Sequence, residues 1–211
     1  LPVPWHAVPG NHDIGDNPWP GSLPGNSVDA ARRQCWLDAV GADNWTLTAG
    51  GWTLLGLNAQ LFDSGLAAED QQWSWLEEQV GRSKEDQAIA LLSHKPLTDS
   101  DAALGTSPVY RFAPQPAWQR LVSLCGDRLG LVLSGHVHQY RYIRRDGIAH
   151  LWVPTTWTVL PDEIQPVLGA KRCGLVALEF HDSEEPQHLM VEPESMRQLT
   201  LIKDVPDSYR H

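Results

Sequence analysis

Apolar and polar positions along this chain change period several times, and each change marks an element. Val28, Ala31, Cys35 and Ala39 recur at helical spacing and stop near Gly41. Two extended runs, 45–48 and 52–57, flank Gly50-Gly51, the signal of a hairpin. Helical spacing returns over 67–80, with Trp73, Leu76 and Val80 on one face and Gly81 as the stop. The runs 88–92 and 129–133 are short and continuously apolar, as strands buried on both faces are. A helix carrying Trp118, Leu121, Val122 and Leu124 lies between them. Extended segments at 140–144, 148–153, 173–180 and 187–191 follow, with Asp146-Gly147 as a turn. A further strand is expected at 3–8, and a polar tail from Ser195. The pattern predicts an α/β domain over 1–194 and a tail over 195–211. Polar residues cluster just past the carboxyl ends of its buried strands, where open α/β sheets bind ligands.

Composition narrows the partners. The chain has 211 residues, 42% of them hydrophobic and 20% charged, the make-up of a soluble globular domain with a sizeable core. Sixteen basic against 26 acidic residues give a net charge of −10, which argues against a nucleic-acid backbone or an anionic membrane as the main partner. An anionic ligand must then find its positive charge in the site itself, and metal ions supply it. No apolar run approaches the roughly 20 residues of a membrane span, and the expected address is cytoplasmic. The chain opens at Leu1 inside what reads as a strand, so a segment upstream is expected. Cys35, Cys125 and Cys173 lie far apart and read as buried small hydrophobes, not as a disulfide framework or thiolate zinc site. Trp36, Trp73, Trp75 and Trp118 fall in helical patterns and read as core.

Three polar motifs coincide with three expected strand ends: Gly10-Asn11-His12-Asp13, Ser93-His94 and Gly135-His136-Val137-His138. An isolated loop histidine is most often structural or solvated. A His-x-His pair says more, because alternate residues of an extended segment point the same way and can converge on one ion. Together and in this order the motifs resemble the calcineurin-like metallophosphoesterases. In that family Asp-x-His, Gly-Asp, Gly-Asn-His-Asp/Glu, a lone His and Gly-His-x-His follow one another. The resemblance runs from about residue 8 to about residue 180. It is nearest the phosphodiesterase-like branch, through Gly51-Trp52-Thr53-Leu54-Leu55-Gly56-Leu57-Asn58 and Asp70-Gln71-Gln72-Trp73-Ser74-Trp75-Leu76.

The resemblance implies a sandwich of two mixed β-sheets flanked by helices. It also implies hydrolysis of phosphate mono- or diesters by a hydroxide held on two divalent ions, manganese, iron or zinc. Asn11, His94 and His136 would ligate one ion and His138 the other. His12 is similar to the family's general acid, and Asp13 would orient its ring or serve as a turn residue, roles that are compatible.

Two family blocks do not precede Gly10. By the resemblance they bring an Asp and a His to the first ion and the Asp that bridges the pair. An N-terminal βαβ portion is therefore expected to be missing here, and the chain to hold at most one ion. Gly15-Asp16 and Gly126-Asp127 follow the Gly-Asn-His-Asp block instead of preceding it and are set aside as replacements. A metallo-β-lactamase site fails because Gln139-Tyr140-Arg141 follows His138, and the helices oppose a cupin. The remaining alternative is an inactive family member kept for binding or scaffolding. Substrate contacts are expected from the irregular stretches 14–27 and 97–113. Trp19, Tyr110, Arg111 and Tyr140 are the candidates to stack on an aromatic leaving group or pair with phosphate. The expected partner is a small phosphate ester, with a phosphoprotein as the second possibility.

Overall fold

A computed structural model describes residues 3–19, 25–97, 111–182 and 184–205. A single helical turn, α1 (Asn11–Ile14), and a ten-residue helix, α2 (Ala30–Ala39), precede the hairpin of β1 (Trp45–Ala49) and β2 (Trp52–Leu57). Then come α3 (Ala67–Arg82), β3 (Ala88–Ser93), α4 (Gln115–Cys125) and β4 (Leu129–Ser134). The strands β5 (Arg141–Arg145), β6 (Ile148–Trp152), β7 (Thr158–Val159), β8 (Leu175–Glu179), β9 (Gln187–Val191) and β10 (Leu199–Thr200) complete the order.

Six strands form one mixed sheet in the order β1-β2-β3-β4-β6-β5. Its inner strands β2, β3, β4 and β6 are parallel, and the edge strands β1 and β5 run antiparallel to them. All six residues of β2 are buried, which explains its unbroken apolar run. Helices α3 and α4 cover one face: Trp73, Leu76, Val80 and Leu121 pack on Leu55, Leu57, Ile89, Leu91 and Val132. The other face buries Trp52, Leu54, Ala90, Leu131 and Leu151 beneath the antiparallel pair β8/β9, through Val176 and Leu178. Helices, a mixed six-stranded sheet and a two-stranded sheet are thus stacked as layers.

Two expectations are corrected, and the tail gains an element that the residue pattern left open. Residues 3–8 form no strand: among the described residues no strand pairs with them through its backbone, and Val3 and Trp5 are exposed. The segment is held from the side, by the Trp45 indole donating to the Ala7 carbonyl and stacking on His6. Cys35 is exposed, because α2 buries none of its residues fully. The polar tail carries β10, which pairs in parallel with β7 and brings Leu201 into the interior at 2% exposure.

Candidate metal centre

The register of β3 and β4 sets the geometry. Ser93 lies opposite Ser134 as the last pair of two parallel strands, so His94 and Gly135 leave the sheet at the same level. There the Gly135 N–H donates to the His94 carbonyl over 2.9 Å, tying the two motifs together. The third motif arrives from the side. It is not a loop but the turn α1, whose Asp13 Oδ2 accepts the Gly10 N–H at 2.8 Å. A Cβ on Gly10 would stand 2.8 Å from the His94 ring, so only glycine lets the turn approach that closely.

The three motifs meet at His94. Its Nε2 lies 2.9 Å from Asn11 Oδ1 and 3.1 Å from His136 Nδ1. His138 Nδ1 donates to the Thr158 carbonyl at 2.6 Å, which fixes the tautomer and leaves Nε2 as the ring's lone-pair atom. The expected extended His-x-His is not what delivers these rings. His136 and His138 both have positive φ, 64° and 53°, and the Val137 N–H bonds back to Gly135. Side-chain-bearing residues seldom adopt that region. The compensation is Val137, buried at 2% exposure with Phe112 and Trp152.

Burial sets the charge state of the cluster. His94 is lowered to about 4, first by desolvation, then by the Lys95 charge and by His138 and His12. His136 is lowered well below its usual value, again chiefly by burial. Burial lowers His138 as well, although the Thr158 carbonyl partly opposes it. At neutral pH all three imidazoles are therefore uncharged bases with lone pairs available.

Asn11, His12, His94, His136 and His138 line one cavity of about 100 Å³. Arg111, Leu160 and Gln165 complete its described wall. His12 is exposed at that wall. Asp13 is engaged with Gly10 and makes no hydrogen bond to His12 among the described residues. Arg111 is buried, with Nη2 donating to the Ile164 carbonyl at 2.8 Å. Tyr140 is packed elsewhere, against the β8/β9 face and near His188. Trp19 is half-buried and does not line the cavity, and Tyr110 lies outside the described residues.

The donor set is two imidazole nitrogens and one amide oxygen, which fits a single borderline divalent ion. Among the described residues no three His, Cys, Asp or Glu side chains gather into a metal-binding group. His138 lines the same cavity but makes no hydrogen bond to Asn11, His94 or His136 among the described residues.

With that geometry in view, the family profile of the calcineurin-like phosphoesterases matches residues 1–140. The chain belongs to the calcineurin-like phosphoesterase family. Purple acid phosphatase PPD1 from yellow lupin seeds superimposes at a TM-score of 0.53, with 16% identity over 96% of this chain and 42% of its own. GAP50, described as the anchor in the inner membrane complex of Plasmodium, superimposes at 0.50, with 14% identity over 73% of this chain. A dimetal phosphatase from Danio rerio gives 0.48, with 11% identity over 76% of this chain and 68% of its own. No curated protein sequence matches. The chain spans half the length of GAP50 and less of the lupin enzyme. At these identities the likeness establishes the phosphoesterase fold. No helix among the described residues is long and apolar enough to cross a membrane.

Several residues that shape this cluster carried no motif. Gln165 is buried, donates to the Val137 carbonyl at 2.9 Å and accepts from Gln139 at 2.8 Å, bracing the turn that holds both histidines. Thr158 contributes only a backbone carbonyl, which a sequence does not single out. Lys95, next to His94, is fully buried, and its ammonium pairs with Asp16.

Proposed function

We propose that the cluster at the strand ends serves the metal-dependent hydrolysis of phosphate mono- or diesters. The observation that carries this reading is the convergence of Asn11 Oδ1, His94 Nε2 and His136 Nδ1 within 2.9 and 3.1 Å at the ends of parallel strands. Asn11, His94 and His136 hold one divalent ion, and His138 offers Nε2 toward a second. Such ions supply Lewis acidity and a nucleophile at neutral pH. The neutral donors leave the ion's charge undiminished, which suits an anionic substrate in a chain of net charge −10. Arg111, anchored to the Ile164 carbonyl, pairs with the phosphoryl group. His12, exposed at the cavity wall, passes a proton to the departing ester oxygen. Asp13 serves it indirectly, holding α1 in shape through Gly10.

The test is metal stoichiometry by native mass spectrometry after loading with manganese, followed by hydrolysis of p-nitrophenyl phosphate and its diester. One ion per chain is expected, lost in His94→Ala. A folded chain that binds none overturns the reading. A second reading, a phosphoesterase-like domain kept for binding, is favoured by the lack of three gathered His, Cys, Asp or Glu side chains among the described residues. Binding of both esters without turnover in the manganese-loaded chain would select it.

A further inference from the structure

Lys95 directly follows His94 and is 0% exposed. Its Nζ is in ionic contact with Asp16 Oδ1. Burying the ammonium against a part-buried carboxylate carries a desolvation cost that an apolar side chain filling the same space would not. What a charge pair adds is a directional link, and the place of Asp16 shows what is linked. Asp16 lies two residues beyond α1, the turn that carries Asn11 and His12. Its backbone is clamped on both sides: the N–H donates to the Asn26 carbonyl at 2.7 Å, and its carbonyl accepts the Val28 N–H at 2.8 Å. Asn17 next to it donates to Asp16 Oδ1 at 3.1 Å and, through Nδ2, to the Ala59 and Phe62 carbonyls at 2.6 and 2.9 Å. Gly15, between α1 and this corner, has φ +92°, and a Cβ there would stand 2.5 Å from the Ser27 carbonyl oxygen. The corner is thus anchored without help from β3, and it grips the residue after His94.

We propose that Lys95 and Asp16 are a positioning pair that holds the α1 turn and the end of β3 at the spacing a metal ion needs between Asn11 and His94. The proposal rests on the reading of those two residues as ligands. The pair fixes the far side of α1, as the contact of Gly10 on the His94 ring fixes the near side. Asp16 is accordingly engaged behind the site and is not a replacement metal ligand.

The experiment compares the unaltered chain with Asp16→Asn and with the double variant Lys95→Met/Asp16→Leu. The double variant removes both charges together, which buried pairs tolerate far better than the loss of one partner. Three quantities are measured: the thermal midpoint, Mn2+ affinity by calorimetry well below that midpoint, and the Asn11 Oδ1 to His94 Nε2 separation in metal-free crystals. A merely structural role moves the midpoint alone. The expected result is a roughly ten- to hundredfold loss of Mn2+ affinity in both variants while they remain folded. The separation is expected to open from 2.9 Å to beyond about 3.5 Å. Folded variants with unchanged affinity and separation overturn the proposal. An unaltered chain that binds no Mn2+ overturns the ligand reading instead, and the metal-free separation then decides the positioning claim by itself. If the double variant does not fold, Asp16→Asn, which keeps the size of the side chain, decides between the two outcomes.

Discussion

The two ends of the parallel strands open into cavities of opposite character. At the amino ends of β2, β3 and β4, a cavity of about 350 Å³ is lined by Trp52, Asp127, Arg128, Arg144 and Glu185. Its charges lie toward water or are engaged: Arg144 pairs with Glu185, and Arg128 donates to Ser83 Oγ at 2.8 Å and to the Val80 carbonyl at 3.0 Å. At the carboxyl ends the cavity is about 100 Å³, and within it the buried His94 and His136, both held uncharged at neutral pH by desolvation, lie side by side. Volume therefore does not mark the chemistry in this molecule. The charges at the amino ends are solvated, whereas at the carboxyl ends desolvated imidazoles stand within 3.1 Å of each other, an arrangement that suits a cation.

The sharpest way to break this contrast is at His136. His136→Ala should weaken Mn2+ binding by on the order of a thousandfold, about 4 kcal/mol, by calorimetry. Arg128→Ala, at the other cavity, should leave that affinity unchanged.

Acid offers a second handle. His94 ionises at about 4 in the folded chain against 6.5 in the unfolded one, so the unfolded state binds more protons between those values. Stability from this source is complete above about pH 6.5 and is lost as pH falls toward about 4. For His94 alone it amounts to about 3 kcal/mol. His150, in β6 and outside the site, is also lowered to about 4 by burial and contributes over the same window. His94→Asn should flatten the pH dependence of urea unfolding without abolishing it.

The brace beneath the site is expected to matter less. Gln165→Leu leaves the buried Val137 carbonyl without that donor and removes one of the two acceptors of the Gln139 amide, and should cost about 2 kcal/mol in urea unfolding. Smallest of all, Arg144→Ala removes one half of an exposed pair at the other end and should cost less than about 1 kcal/mol. An Arg144 effect as large as that of Gln165 would erase the distinction between the two ends.

Much of the fold was legible because its signals are local. β3 and β4 were visible as short apolar runs, since strands covered on both faces have no polar side to show. The helix α3 was visible because Trp73, Leu76 and Val80 repeat along one face. The segment 3–8 misled because its composition suits a strand, yet a strand also needs a neighbour, and no residue pattern states whether one is there. The His-x-His motif carried an expectation about backbone geometry that the structure does not meet. Alternation in an extended segment was expected, but left-handed backbone at His136 and His138 presents the rings, with buried Val137 as its anchor. Tyr140, a candidate to stack on a leaving group, packs instead on the sheet face that β8 and β9 cover.

The sequence by itself determined the family, the order of the elements and the identity of the converging donors, because each of these is written in contiguous residues. Only the tertiary structure decided that Asn11 and His136, 83 and 42 residues from His94, would meet it within hydrogen-bonding distance. The same holds for the uncharged state of the histidines and for the pairing of Lys95 with Asp16. Desolvation and ion pairing depend on which distant segments exclude water from a group, and that is a property of packing, not of the residue or its neighbours in the chain.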